Sequence, residues 1–306
     1  MTESTDKDEF ELFKRYLEKD EMMIEYCNQA FGVNQLLRLK DKHERIEKYN
    51  NSMVYSAGLL RVSNEIYWLC HSLYGDPDDN NEIYFVLSEF LNTGTLVYEE
   101  ACILIQYGSA QGALARWRTL YELAVYSEFI LKYPNSAVKY LEQFPFSAYK
   151  LARRLHEKLG DIDEKGNRYS DLLEAKNASN IKSEFDWARE AFGKKTKIDF
   201  NSIAKKTSLY TIYAPVDEAN IYNHASPRYI FGEEIESYPE FSTLDLDYPF
   251  GYLVNVLALL CSTVLKLFEQ KTDLTDESKE KIQDYQLLLN KIHLKTQCYI
   301  IEDFKG

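Results

Sequence analysis

The stretch ARWRTLYELAVYSEF, residues 115–129, places ionisable side chains where a core is expected. At about 100° per residue, Arg118 and Glu122 fall in the same helical sector as Val125 and Phe129, so a guanidinium and a carboxylate point toward apolar neighbours. A charge withdrawn from water is costly unless it is paired, and the i,i+4 spacing lets these two meet each other or a shared third group. Two readings are open. Either the pair is a satisfied core ion pair that sets helix register, or Arg118 binds an anion and Glu122 orients it.

A second cluster lies in YAPVDEANIYNHASPRYIF, residues 213–231, where Tyr222, Asn223, His224, Ser226 and Arg228 fall within seven residues. The imidazole of His224 titrates near neutral pH and suits a general acid or base. Tyr222, Asn223, Ser226 and Arg228 offer donors and acceptors for a ligand. A histidine at a helix end, capped by Asn223 or Ser226, accounts for the same residues without chemistry. Eight acids (Asp217, Glu218, Glu233, Glu234, Glu236, Glu240, Asp245 and Asp247) face the single base Arg228 between Ile212 and Asp247. A phosphate is repelled there unless Arg116, Arg118 or Arg228 folds onto the same site.

Other chemistry leaves no signature. The chain has no His-Glu-x-x-His, no Cys-x-x-Cys, no phosphate-binding glycine loop and no Gly-x-Ser-x-Gly elbow, and His156-Glu157 lacks a second histidine one turn on. Asp245-Leu-Asp247 reads as the start of a helix rather than a cation site. No metal and no cofactor is expected. Cys27, Cys70, Cys102, Cys261 and Cys298 are odd in number and widely spaced, and they read as reduced core thiols.

The elements that must position these residues are helices. Glycine (12) and proline (7) are scarce in 306 residues, which leaves few turns. Amphipathic spacing predicts helices over Asp8–Phe31, Asn51–Leu73, Glu82–Tyr107, Ser109–Tyr133 and Asn135–Leu159, with shorter ones to about Lys206. GDPDDNN at Gly75–Asn81 is a stop signal, as are Gly108 and Pro134. Two closing helices follow, Phe250–Gln270 and Thr275–Thr296, the last capped by Thr275. The fold class is therefore all-α, a multi-helix bundle around a central long-helix hairpin of Glu82–Tyr107 with Ser109–Tyr133. Residues 1–80 read as an N-terminal helical extension and 81–306 as the helical core, or the two as one continuous domain.

Charge and hydropathy bound the setting. The formal charge of -13 disfavours nucleic acid and anionic membrane surfaces. Tyr248–Leu265 is uncharged and just long enough to span a bilayer, but it contains Asn255, Ser262 and Thr263 and reads as a core helix sealing the hairpin. Met1–Phe10 is acidic and lacks the regions of a secretory signal, so a cytoplasmic, non-membrane protein is expected.

RTLYE at Arg118–Glu122, FDWA at Phe185–Ala188 and YNHAS at Tyr222–Ser226, in that order, resemble a bacterial helical family catalogued only as domain of unknown function 5677. The resemblance covers roughly residues 85 to 235, and the family is in turn distantly similar to the HEPN group of helical proteins. That likeness implies a fold HEPN-like in part. It also implies an effector or toxin-like role in bacterial phage defence or stress, with metal-independent ribonuclease action as its enzymatic form. In HEPN nucleases four to six residues separate an arginine from a histidine. His224 has Asp217, Glu218 and Ala219 at the matching positions, so the motif is missing there. Arg38 and His43 in RLKDKH match it literally, within a charged segment that reads as a solvated helix face.

The expected catalytic set is thus His224 as acid or base, Arg118 on phosphate and Glu122 as its orienting group. The alternative is a non-catalytic helical module binding a protein partner or small ligand, to which 24 tyrosines and an acidic surface are suited. A protein partner or a homo-oligomer is expected. RNA is the partner that net charge disfavours.

Overall fold

A computed structural model describes residues 36, 39–74, 81–159, 173–174, 176–178, 181, 183–193, 197–213, 215–216, 219–220 and 246–305. Among them the regular elements are all helical. In chain order they are α1 (Asn50–Tyr74), α2 (Glu82–Gln106), α3 (Ala110–Lys132) and α4 (Ser136–Leu159), then a 3-10 turn at Asp186–Ala191 and the short α5 (Phe200–Ala204). A second 3-10 turn at Ser208–Ile212 precedes α6 (Asp247–Glu269) and α7 (Asp276–Lys305). The expected all-α bundle is what forms.

The turn between α2 and α3 shows why the hairpin closes. Gly108 adopts φ 76°, a left-handed conformation that costs glycine little. Its N–H donates to Ile105 O at 2.9 Å, and that of Ser109 donates to Leu104 O at 2.8 Å. These two bonds satisfy carbonyls that the helix end would otherwise strand, and they reverse the chain within two residues. Pro134 then cannot continue α3, which ends at Lys132.

α2 and α3 pack along their lengths, α6 lies against both, and α1 and α7 complete the bundle around α6. Trp117, Tyr98, Tyr121, Phe129, Phe250 and Phe268 are the largest side chains fully removed from water. Leu59, Ile66 and Cys70 of α1 belong to the same core. α6 is long and apolar enough to cross a membrane, yet 67% of its most apolar window is buried within the chain. Four other helices cover it, so it seals the hairpin as its lack of charge predicts.

Two expectations need correction. α7 runs to Lys305 rather than stopping at Thr296. Its last turns are held by tertiary contacts: Tyr299 stacks on Tyr55 with centroids 5.0 Å apart, Ile300 is buried, and Asp303 accepts from Ser52 N at 3.0 Å and from its hydroxyl. The core-thiol reading holds for Cys70 and Cys261, both buried, and for the half-buried Cys102, but Cys298 is exposed. The cap of α7 is as expected, with Ser278 N donating to Thr275 Oγ1 at 3.2 Å. Cys27, the helix expected over Asp8–Phe31 and all but the last residue of the Gly75–Asn81 stop lie outside the described residues.

Candidate functional site

Every fourth residue on one stripe of α3 is polar or aromatic: Arg118, Glu122, Tyr126. That spacing stacks them along the face turned toward α4, α5 and the first 3-10 turn. Arg118 Nη1 stands 2.7 Å from Glu122 Oε1, with the arginine side chain 13% exposed and the glutamate 36%. The expected pair forms, and it sits at an edge of the core rather than in its sealed centre, opening to solvent on the glutamate side.

The guanidinium also lies over the ring of Phe200, 4.2 Å from its centroid. The faces of this planar, delocalised cation are weakly hydrated, so an aromatic cover costs little solvation and adds cation–π attraction. The in-plane N–H groups are less well served. Arg118 Nε is buried without a hydrogen-bond acceptor among the described residues, whereas Nη1 has the Glu122 carboxylate at 2.7 Å as its partner. Asn201 Oδ1, one residue beyond Phe200, and Gln143 Oε1 on α4 are likewise buried and unpartnered.

Aromatic rings wall the corner. Tyr126 meets Trp187 edge-on at 5.1 Å and Phe200 at 5.8 Å, while Tyr140 meets Trp187 at 5.2 Å. Trp187 also packs on Phe129 at 5.5 Å. The RTLYE and FDWA segments therefore converge through Tyr126 and Phe129. Asp186 stabilises the FDWA turn by accepting from Ser183 N at 3.0 Å and Arg189 Nη2 at 2.6 Å.

The segment carrying Phe200 is fastened to α3 at several points. Asp199 caps α5 by accepting from Ser202 N at 2.8 Å. Glu128 accepts from Ser208 N at 2.7 Å and its hydroxyl at 2.9 Å, and Tyr121 Oη donates to Leu209 O at 2.9 Å. Phe200 is thereby held over Arg118 by bonds at both ends of its segment.

Burial raises the Glu122 carboxyl above the usual glutamate value, and the Arg118 charge opposes part of that rise. Burial, then the nearby Glu122 charge, lifts the Tyr126 and Tyr140 phenols. A carboxyl that takes up a proton easily, beside a guanidinium whose Nε has no acceptor among the described residues, can release that guanidinium to an incoming anion. Among the described residues no three His, Cys, Asp or Glu side chains come together as a metal would need.

Of the other expected site residues, Tyr222, Asn223, His224, Ser226 and Arg228 lie outside the described residues. Arg116 faces elsewhere, paired with Glu100 of α2. His43 is 74% exposed on a helical turn and pairs with Glu47 at 3.2 Å, while Arg38 is outside the described residues. Phe200, Tyr140 and Tyr126 were not singled out from sequence. Tyr126 was accessible as the next i+4 step after Glu122, whereas Phe200 and Tyr140 come from separate helices and carried no local signal.

Fold and site together define a class: an all-α bundle with an edge-buried Arg–Glu pair beneath aromatic rings. Residues 84–231 match the model of a family of unknown function, DUF5677. The matched span contains RTLYE, FDWA and YNHAS together. No curated protein and no solved structure matches the chain.

Proposed function

We propose that this protein is a ligand-binding helical module whose site is the Arg118–Glu122 corner, and that it takes a compact anionic group on Arg118. The buried Arg118 Nε, which has no acceptor among the described residues, carries this reading. A buried guanidinium N–H without an acceptor costs free energy, and a carboxylate or phosphate oxygen at that position recovers it. Aromatic walls and a half-exposed glutamate match the usual make-up of a small-ligand site, apolar with few placed polar groups. Its setting, from the HEPN resemblance, is a bacterial phage-defence or stress system, with the protein acting there in the cytoplasm.

The test is thermal denaturation of the wild type and Arg118→Lys with inorganic phosphate, a nucleoside monophosphate, a nucleoside triphosphate and a dicarboxylate. At about 100 times its dissociation constant a true ligand adds about 2.7 kcal/mol, a shift of a few degrees in Tm. The lysine variant keeps the charge, loses the planar fork and stays unshifted. If no compound shifts the wild type, or if both proteins shift equally, the reading fails.

The raised Glu122 carboxyl beside Arg118 favours a second reading, an enzyme of the metal-independent ribonuclease type with His224 as acid or base. Expression of wild type and His224→Ala in cells, with and without phage challenge, separates the two. Growth arrest and cleaved RNA for the wild type alone support the enzyme. Intact RNA in all cases leaves binding as the activity.

A further inference from the structure

The outer face of α7 carries Glu280, Asp284, Leu287, Leu288, Lys291 and Lys295, all exposed. At about 100° per residue these six fall within about 100° of the helix circumference, opposite the buried Ile282, Leu289 and Thr296. Leu287 and Leu288 are 55% and 40% exposed, and Leu294, one heptad after Leu287, is 64% exposed. Among the described residues Glu280, Asp284 and Lys291 form no ion pair, and Lys295 lies over the Tyr299 ring at 5.9 Å. The neighbouring Lys279 and Lys281, by contrast, are paired with Asp276 and Glu277.

The order along this stripe is acid, acid, leucine, leucine, lysine, lysine, and the spacing is the same on either side of the Leu287–Leu288 midpoint. A second α7 laid antiparallel about a twofold axis at that midpoint places Asp284 against Lys291 and Glu280 against Lys295, each pair twice. Leu287 and Leu288 meet their counterparts on the second copy at the axis. A parallel partner would set like charges opposite each other. A self-complementary patch of this kind is what an isologous twofold interface requires.

We infer that α7 is a homodimer interface, with a second copy of this chain as its occupant. The paired stretch spans about 22 Å, so the contact is at the small end of specific interfaces and forms in the micromolar range.

Sedimentation velocity of the full chain from about 1 to about 100 μM at low salt tests this. The mass is expected to rise from 35.8 kDa toward twice that value with concentration. Leu287→Glu and Lys291→Glu should each weaken the dimer by at least about tenfold, and Asp284→Lys with Lys291→Glu should restore it to within about threefold. All these side chains are exposed, so circular dichroism and Tm should be unchanged. A chain that stays monomeric at the highest concentration overturns the inference. So does a dimer indifferent to Leu287→Glu, or a charge swap that fails to restore pairing.

Discussion

Arg118 lies over the Phe200 ring at 4.2 Å while its Nη1 meets Glu122 at 2.7 Å, so one guanidinium makes two different kinds of contact, one that joins α3 to α5 and one within α3. The face contact survives a change in the charge of Glu122, and the edge contact does not. In the proposed binding reading, an anion can therefore reach the edge without unseating the arginine.

That division makes Glu122 the control point. Its folded pKa is raised above 4.5, so between the unfolded and folded values the native state binds more protons than the unfolded chain. Stability from this group is thus present at low pH and declines as pH rises through that window. Glu122→Gln removes the dependence, and urea unfolding of the two proteins at pH 4 to 7 should show the variant gaining on the wild type as pH rises. The same substitution frees Arg118, so anion binding should tighten and lose its preference for acid pH.

Asp199 is the cap that positions Phe200. Asp199→Ala leaves Ser202 N without its acceptor and should cost about 1 kcal/mol of stability. The Ser202 bonds hold the Asp199 carboxyl below its usual 3.8, so its contribution is full above that value and is lost as pH falls through the folded pKa. Chemical denaturation near neutrality and near pH 3 should show the wild-type advantage at the first and its shrinkage at the second.

Two glycines in long helices should respond oppositely to alanine. At Gly94 an added Cβ would stand 2.5 Å from Leu260 Cδ2 and 3.1 Å from Leu120 Cδ1, both in fully buried side chains. This close approach of α2 to α6 makes Gly94→Ala destabilising by about 1–3 kcal/mol despite the better helix propensity. At Gly58 the nearest atoms are 3.8 Å away on Ile292, so Gly58→Ala should stabilise by up to about 1 kcal/mol. Thermal melts of both variants decide this directly.

How much of this was legible beforehand follows from which signals are local. Helical spacing, Gly108 and Pro134 mark α2 and α3 to within a residue because capping and turn chemistry act over four or five positions. The Arg118–Glu122 pair is legible for the same reason. The end of α7 is not, because Cys298-Tyr-Ile-Ile-Glu weakly favours helix and is held there by Tyr55 and Ser52, far away in sequence. Phe200 is likewise illegible: a five-residue helix has no periodicity, and its place over Arg118 depends on Glu128 and Tyr121 gripping residues 208 and 209.

His293 offers a test of the α6–α7 contact that depends on no ligand. It is half-buried, with Nε2 2.8 Å from Asn255 Oδ1, and burial lowers its pKa from the usual 6.5. Below 6.5 the unfolded chain takes up a proton that the native state resists, so the unfolded state binds more protons and stability rises with pH through this window. Acidification from pH 7 to 5 should therefore weaken the packing of α7 on α6, and His293→Gln, which keeps a donor for Asn255 but does not titrate, should resist that loss. Urea unfolding at the two pH values checks it. Equal loss in both proteins would place the acid sensitivity on other groups.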